Sequence, residues 1–492
     1  MSLVRTWSLC LLSISLANLA AAAEPSPKLN VLFICADDLR AELGCYGSVA
    51  KTPHLDALAR RSIVFERAYC QQAVCNPSRS SFLTGQRPDT LHLWNNGIHF
   101  REQNPNVVTL PQHFLAAGYT TRCVGKIFHN WHTAVKGDRR SWSADEYLFY
   151  ENHGNDKPQI NGKLPADHAT VAKWAYGNTD ITECREVADD AYFDGRVAAE
   201  AVQVMRQVKK EPFFLAVGFW KPHAPFNAPK KYWDLYDRAQ LPRWNGSRPE
   251  HAVDIALHDS RELLQAPPKR HEPSPEQAAE MRHGYFANIS YMDEQVGKVL
   301  QALDEHGLRE RTVVVFLGDH GYHIGEHTLW GKTSNFEYDA RVPLMISLPG
   351  AKGATTKSLA ELVDLFPTLA ETCGLKLPGP MDGISLTPVL REPQKSVKDF
   401  AFTQHPRPAY YDRTPAKTPA AMGYSVRTST HRYTEWRGWE DGQLIGAELY
   451  DHRSDPAELR NVAADPPQQE SLQAAKAALE KQFPAKTPPA KR

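Results

Sequence analysis

The chain has 492 residues, of which 42% are hydrophobic and 23% charged. That is the balance of an ordinary globular protein with room for one large domain and a smaller companion. Lys+Arg and Asp+Glu are equal at 57 each, which excludes a net field favouring nucleic acid or an anionic membrane, though not a local basic pocket for a small anion.

In chain order, residues 1–23 read as a signal peptide. Arg5 supplies the positive start, "WSLCLLSISLANLA" the short apolar stretch, and Ala21 and Ala23 the small residues before Glu24. No later segment reaches about 18 uninterrupted apolar residues, so the expectation is an exported protein of the periplasm, the extracellular space or a lysosome-like compartment, with no membrane span. Seven cysteines then remain, Cys35, Cys45, Cys70, Cys75, Cys123, Cys184 and Cys373. An odd count in an oxidising compartment leaves at least one unpaired or modified.

"LNVLFICA" (Leu29 to Ala36) is a continuous apolar run and predicts a buried strand of a parallel sheet. Phe213 to Trp220, Thr312 to Gly318 and Val342 to Pro349 are runs of the same kind. Between them Phe193, Val197, Ala201, Val204 and Val208 step by three and four, as do Met281, Tyr285, Ile289, Met292, Val296 and Val299. Alternating strands and helices predict an α/β domain over residues 24–405, a large mixed, mostly parallel sheet flanked by helices. Trp244 to Pro275, rich in Pro, His and charge, reads as a long surface insertion. Residues 406–492 read as a smaller subdomain: a Pro-rich loop, a small antiparallel sheet built on "GYSVRTSTHRYTEW" and "AELYDH", and a polar helix near Gln468 to Gln482. The tail "PAKTPPAKR" reads as disordered.

Two acidic groups fall at predicted strand ends, Asp37-Asp38 and Asp319-His320, where open α/β sheets bind their ligands. Clustered carboxylates are costly unless something positive neutralises them, and hard oxygen donors favour Ca²⁺ or Mg²⁺. Taken singly, Asp38 also reads as a helix cap and Asp319 as the start of a turn. Between the two groups lies "CNPSRSSFLTG" from Cys75 to Gly85. Pro77 suits a first helical turn, whose free amides, with Arg79, favour an anion. Alone, Cys75 reads either as a thiolate nucleophile or as a buried structural cysteine.

The pattern C-x-P-S-R-x-x-x-L-T-G resembles the signature of the type I sulfatases, in which this cysteine is oxidised to formylglycine. "GYTTRCVGKIFH" (Gly118 to His129) resembles the family's second signature. "KPHAPF", "DHGYHIGEH" and "MGYSVRT" are similar to phrases of its iduronate-type branch. The resemblance extends from residue 30 to about 450. It implies an alkaline-phosphatase-like sulfatase fold, one Ca²⁺ per site, and a formylglycine-generating enzyme as a partner during maturation. Asp37, Asp38, Asp319 and His320 look like the Ca²⁺ ligands, completed by an oxygen of modified Cys75. Arg79 looks like the group holding the formylglycine hydrate. Lys126, His129, His223 and Lys332 look like the sulfate-binding and proton-transfer set. An aldehyde hydrate carries two hydroxyls on one carbon, so that one can attack sulfur and the other restore the aldehyde.

For the substrate, "LHLWNNGIHFRE" (Leu91 to Glu102) is expected to line the pocket. Trp94 would stack on a sugar, while Asn95, Asn96 and Arg101 would bind hydroxyls or a carboxylate; the other reading is a packed loop. Tyr322 replaces a tryptophan of the iduronate-type branch in the pocket wall. Trp436 and Arg437 are further candidates for the rim. The resemblance implies a sulfated carbohydrate substrate, a 2-O-sulfated uronic acid at the non-reducing end of a glycan. Two rivals are a phosphoryl ester hydrolase of the same superfold and a non-catalytic, Ca²⁺-dependent glycan-binding protein that keeps Cys75 unmodified.

Overall fold

Strand β1 (Asn30–Asp37) is buried along its whole length, as a run without a polar face must be. It lies inside a seven-stranded sheet with β2 (Ile63–Tyr69), β3 (Thr120–Gly125), β4 (Phe213–Pro222), β5 (Thr312–Gly318), β6 (Arg341–Ser347) and β7 (Ala354–Glu361). The strand order is β7-β2-β6-β5-β1-β4-β3. This computed structural model describes residues 28–129, 135–147, 181–242, 246–264 and 272–484; the expected signal peptide and disordered tail lie outside them.

β1 runs parallel to β4 and β5, β3 parallel to β4, and β7 parallel to β2. β6 runs antiparallel to both its neighbours, which corrects the expectation for Val342 to Pro349. An apolar run reports burial on two faces and says nothing about direction.

Successive β1 side chains enter opposite layers, following the period of two. Val31, Phe33 and Cys35 pack with Phe82 and Leu83 of helix α1 (Cys75–Thr84). Leu32, Ile34 and Ala36 pack with helices α2 (Phe193–Val208) and α3 (Pro275–Glu305). The helical residues singled out by spacing, from Phe193 to Val208 and from Met281 to Val299, all lie in this second layer. None of the seven cysteines from Cys35 to Cys373 is disulfide-bonded.

The C-terminal part forms an antiparallel sheet of β8 (Ala401–Arg407), β9 (Ala421–Arg427), β10 (His431–Gly438) and β11 (Leu444–Asp451), in that order. Helix α4 (Gln469–Gln482) covers it, placing Ala475 and Leu479 on Val426, Tyr433 and Leu449. The segment read as a Pro-rich loop supplies most of β8. Pro406 is tolerated there because β8 is an edge strand, where a missing N–H need not break a ladder. The stretch read as a surface insertion also departs from expectation. Its helical turn Arg261–Leu264 buries Leu263 and Leu264 in the layer of α2 and α3.

Candidate active site

Four strand ends and one helix start converge. β1 ends on Asp37, and Asp38 follows with φ 59, a left-handed conformation that Asp tolerates better than most residues. β5 is followed by Asp319 and His320, β4 by His223, and β3 by Lys126. Cys75 opens α1 after the extended Val74. Gly125 and Gly218 let Lys126 approach: its N–H donates to the Gly218 carbonyl at 2.9 Å, a Cβ on Gly125 would stand 2.1 Å from that carbonyl oxygen, and a Cβ on Gly218 would stand 1.8 Å from the Lys126 carbonyl oxygen.

The side chains meet in one buried cluster. Cys75 Sγ lies 3.5 Å from Asp37 Oδ1 and 3.3 Å from His320 Nε2. The fully buried Arg79 donates from Nε to Asp319 Oδ2 at 2.8 Å and from Nη2 to Asp37 Oδ1 at 3.3 Å. Its Nη1 binds the carbonyls of Lys126 at 2.6 Å and Ile127 at 3.0 Å, so one guanidinium ties β1, β3 and β5 to α1. Lys126 Nζ pairs with Asp37 Oδ2. Lys332 Nζ donates to Asp38 at 3.0 and 3.1 Å and lies 3.2 Å from His223 Nε2. His129 is buried three residues beyond Lys126.

Burial pushes the Asp37 carboxyl up, but Lys126, His223, Arg79 and Lys332 overcome it and hold Asp37 well below the usual range. Burial, with Asp37 as a like charge, carries Asp38 well above that range despite Lys332. Burial and Asp37 also push the Cys75 thiol up, to about 12.

The donor set fits a hard divalent cation. Asp37, Cys75, Asp319 and His320 each place one donor atom within 4.8 Å of the others. His320 Nδ1 faces the Gly321 carbonyl at 3.0 Å, which turns Nε2 inward as a second-shell hydrogen bond turns a ligating imidazole.

The profile of the family described as Sulfatase matches residues 29–375. The chain belongs to the sulfatase family. A second profile, described as N-sulphoglucosamine sulphohydrolase, C-terminal, matches residues 325–484. This sulfatase is 35% identical to iduronate 2-sulfatase of Mus musculus, over 92% of this chain and 94% of the relative. To iduronate 2-sulfatase of Homo sapiens it is 32% identical, over 92% and 94%. Among solved structures, the phosphonate monoester hydrolase of Agrobacterium radiobacter superposes with a TM-score of 0.74 at 24% identity, over 92% of this chain and 96% of that one. The enzymes of the family use a formylglycine and a metal, and the buried Asp, Cys and His groups around Cys75 have the composition for both.

The residues expected to line the substrate pocket of this sulfatase are largely engaged by protein. Arg101 donates to both oxygens of Asp138 at 2.6 and 2.7 Å, to the Val107 carbonyl at 2.8 Å and to Gln112 at 2.9 Å. Asn95 donates to the Tyr411 hydroxyl at 2.7 Å, and Asn96 accepts from the Asn76 N–H at 3.0 Å. Trp94 is half-buried, donates to Asp89 at 2.6 Å and packs edge-on to Trp439. Tyr322 is fully buried, stacked on Tyr285, with Lys332 Nζ 5.7 Å from its ring. Trp436 donates to Glu448 and stacks on Arg407, while Arg437 pairs with Glu435 and Glu480, so neither is presented at a rim.

Two residues in the cluster escaped the reading of the sequence. Glu262 Oε1 accepts from Lys332 at 2.6 Å, and Glu262 Oε2 accepts from the Tyr410 hydroxyl at 2.7 Å. Burial raises the Glu262 carboxyl, yet Lys332 and His223 hold it at about 2. Both residues lie in segments whose Pro, His and charge content mimics an exposed loop. The apolar pair Leu263-Leu264 behind a serine and a charged residue was the available signal.

Proposed function

We propose that this sulfatase hydrolyses the 2-O-sulfate of a uronic acid at the non-reducing end of a glycan. In this reading a formylglycine-generating enzyme has converted Cys75, and Ca²⁺ is held by Asp37, Asp38, Asp319, His320 and an oxygen of residue 75. The observation that carries the reaction is the convergence of Cys75, Arg79, Lys126, His223 and Lys332 on the three buried aspartates. The uronate assignment is supported by the 35% identity to iduronate 2-sulfatase over 92% of the chain. Export through residues 1–23 belongs to the same proposal and is checked by finding Glu24 as the first residue of the exported protein.

A sulfate ester repels an anionic nucleophile, and its cleavage needs barrier lowering of the order of 20 kcal/mol. When bound, the cation withdraws electron density from the sulfonyl oxygens and from the hydroxyl of residue 75. The chain's own residues supply the remainder. Arg79, locked between Asp37 and Asp319, orients residue 75. Lys126 and Lys332 present N–H donors to the sulfonyl oxygens, fixed in advance in a dry site where such donors act most strongly. His223 Nδ1 is occupied by the Ala224 carbonyl at 2.5 Å, and burial and Lys332 hold the ring in its neutral form, so Nε2 relays a proton from the Lys332 ammonium, 3.2 Å away, to the departing sugar oxygen. His129 takes the proton whose loss expels sulfate and restores the aldehyde.

Sulfate release from defined oligosaccharides tests this. Terminal 2-O-sulfouronate is expected to be cleaved in preference to simple aryl sulfates. Activity on aryl sulfates with none on uronate 2-sulfates rejects the substrate, and faster turnover of phosphate diesters than of any sulfate ester rejects the reaction. The peptide bearing Cys75 is expected about 18 Da lighter than its cysteine form, as exchange of the thiol for an aldehyde oxygen requires.

A further inference from the structure

Lys332 carries three N–H donors. Its ammonium lies 2.6 Å from Glu262 Oε1, closer than the 3.0 and 3.1 Å to Asp38. Glu262 is 8% exposed and belongs to neither family signature. It reaches the cluster because Ser260 Oγ accepts from the Trp330 N–H at 2.9 Å, which stitches the turn Arg261–Leu264 to the chain just ahead of Lys332. The second carboxylate oxygen is held by Tyr410 at 2.7 Å, and Glu262 Oε1 lies 3.5 Å from His223 Nε2. One carboxylate thus has both oxygens fixed by groups from distant parts of the chain, and it touches both Lys332 and His223.

We infer that Glu262, held by Tyr410, is a positioning residue that gives the Lys332 ammonium a second anchor and keeps it registered against His223. A lysine on a flexible four-carbon stem with one partner swings about that partner. Asp38 alone would therefore let the ammonium follow every adjustment of the carboxylates when an ester arrives. With Glu262 as a second fixed point, one N–H remains directed toward the space beside His223 Nε2, 3.2 Å away. The inference rests on the reading that Lys332 and His223 serve sulfate transfer.

The test measures kcat and KM for a sugar sulfate and for nitrophenyl sulfate in Glu262→Gln, Glu262→Asp and Tyr410→Phe, with Lys332→Ala as reference. Displacing a catalytic group by about 1 Å costs up to about 100-fold. Glu262→Gln is expected to lose about that in kcat/KM, chiefly in kcat, and more on the sugar than on nitrophenol. Glu262→Asp, which keeps the charge, recovers part of the loss. Tyr410→Phe loses about tenfold with the same leaving-group dependence, as removal of a hydrogen bond to a charged group allows. Wild-type kinetics in Glu262→Gln alongside an inert Lys332→Ala overturn this inference and leave the sulfatase reading standing. So does an equal loss on both leaving groups that Glu262→Asp does not relieve. If Glu262→Gln does not fold, unchanged kinetics in Tyr410→Phe overturn it. A wild-type enzyme inert toward every sulfate ester overturns the parent reading and this inference with it.

Discussion

Residue 75 concentrates the chemistry in one side chain. Cys75 is 1% exposed and sits at the first position of α1, between Asp37 and His320. Cys75→Ala is expected to abolish sulfate release, because it removes the side chain proposed as the nucleophile between Asp37 and His320. The fold should persist, with a cost of about 1 kcal/mol for the small volume removed; sulfate release and a thermal melt check the two halves. The aspartates make a second prediction at this scale. Three buried carboxylates within one cluster repel each other; Arg79, Lys126 and Lys332 offset part of that repulsion, and a bound divalent cation would offset more. Chelation is therefore expected to lower both activity and melting temperature, and Ca²⁺ to restore both better than Zn²⁺, which prefers fewer and softer ligands. Activity and midpoint indifferent to chelator and to Ca²⁺ would show that these carboxylates hold no cation.

Among the elements, the approach of β3 to β4 decides where Lys126 sits. Gly218→Ala would drive a methyl group into the Lys126 carbonyl. It is expected to cost about 2–3 kcal/mol, as overpacking does, and to weaken binding of inorganic sulfate through displacement of Lys126. Calorimetry with sulfate and a denaturant titration measure the two effects, and a variant equal to wild type in both removes Lys126's dependence on this contact. The same scale shows what was legible. β1, β4 and β5 carry uninterrupted apolar runs, and Asp37-Asp38 and Asp319-His320 stand at the ends of β1 and β5, so strands and metal-ligand candidates are legible together. The antiparallel course of β6 was hidden because burial pattern is silent about direction. β2 carries Glu66 and Arg67 and β7 has an exposed Lys357, so neither has a clean apolar run. The Arg101 ion pair with Asp138 joins residues whose proximity depends on loop geometry, and no spacing rule announces it. Glu262 and Tyr410 were missed for a related reason: the composition of their segments describes the segment, not the one side chain that turns inward.

Across the whole molecule, the two sheets meet through polar groups, the Phe402 N–H of β8 donating to Glu361 Oε1 of β7 at 2.9 Å, and the smaller sheet buries an acid of its own. Glu448 on β11 accepts from Tyr450 at 2.8 Å and from Trp436 at 3.3 Å, and burial raises its carboxyl from the ordinary 4.5 to about 7. In the unfolded chain Glu448 ionises above about 4.5, whereas the folded protein keeps that proton until about 7. Between those values the folded state binds more protons, so this group's contribution to stability is full below the window and is lost as pH rises through it. Glu448→Gln removes the charge while its carbonyl oxygen accepts from Trp436 and its NH2 donates to the Tyr450 hydroxyl, and it is expected to gain on wild type in melting temperature as pH rises from 5 to 8. A difference that stays constant across that range would mean Glu448 does not titrate there. The burial of Cys75 has a temporal consequence. In the folded protein Arg79 and the ends of four strands enclose this thiol, which is 1% exposed. An enzyme converting Cys75 as proposed would therefore have to reach it before the chain closes, and molecules that closed first would keep the thiol.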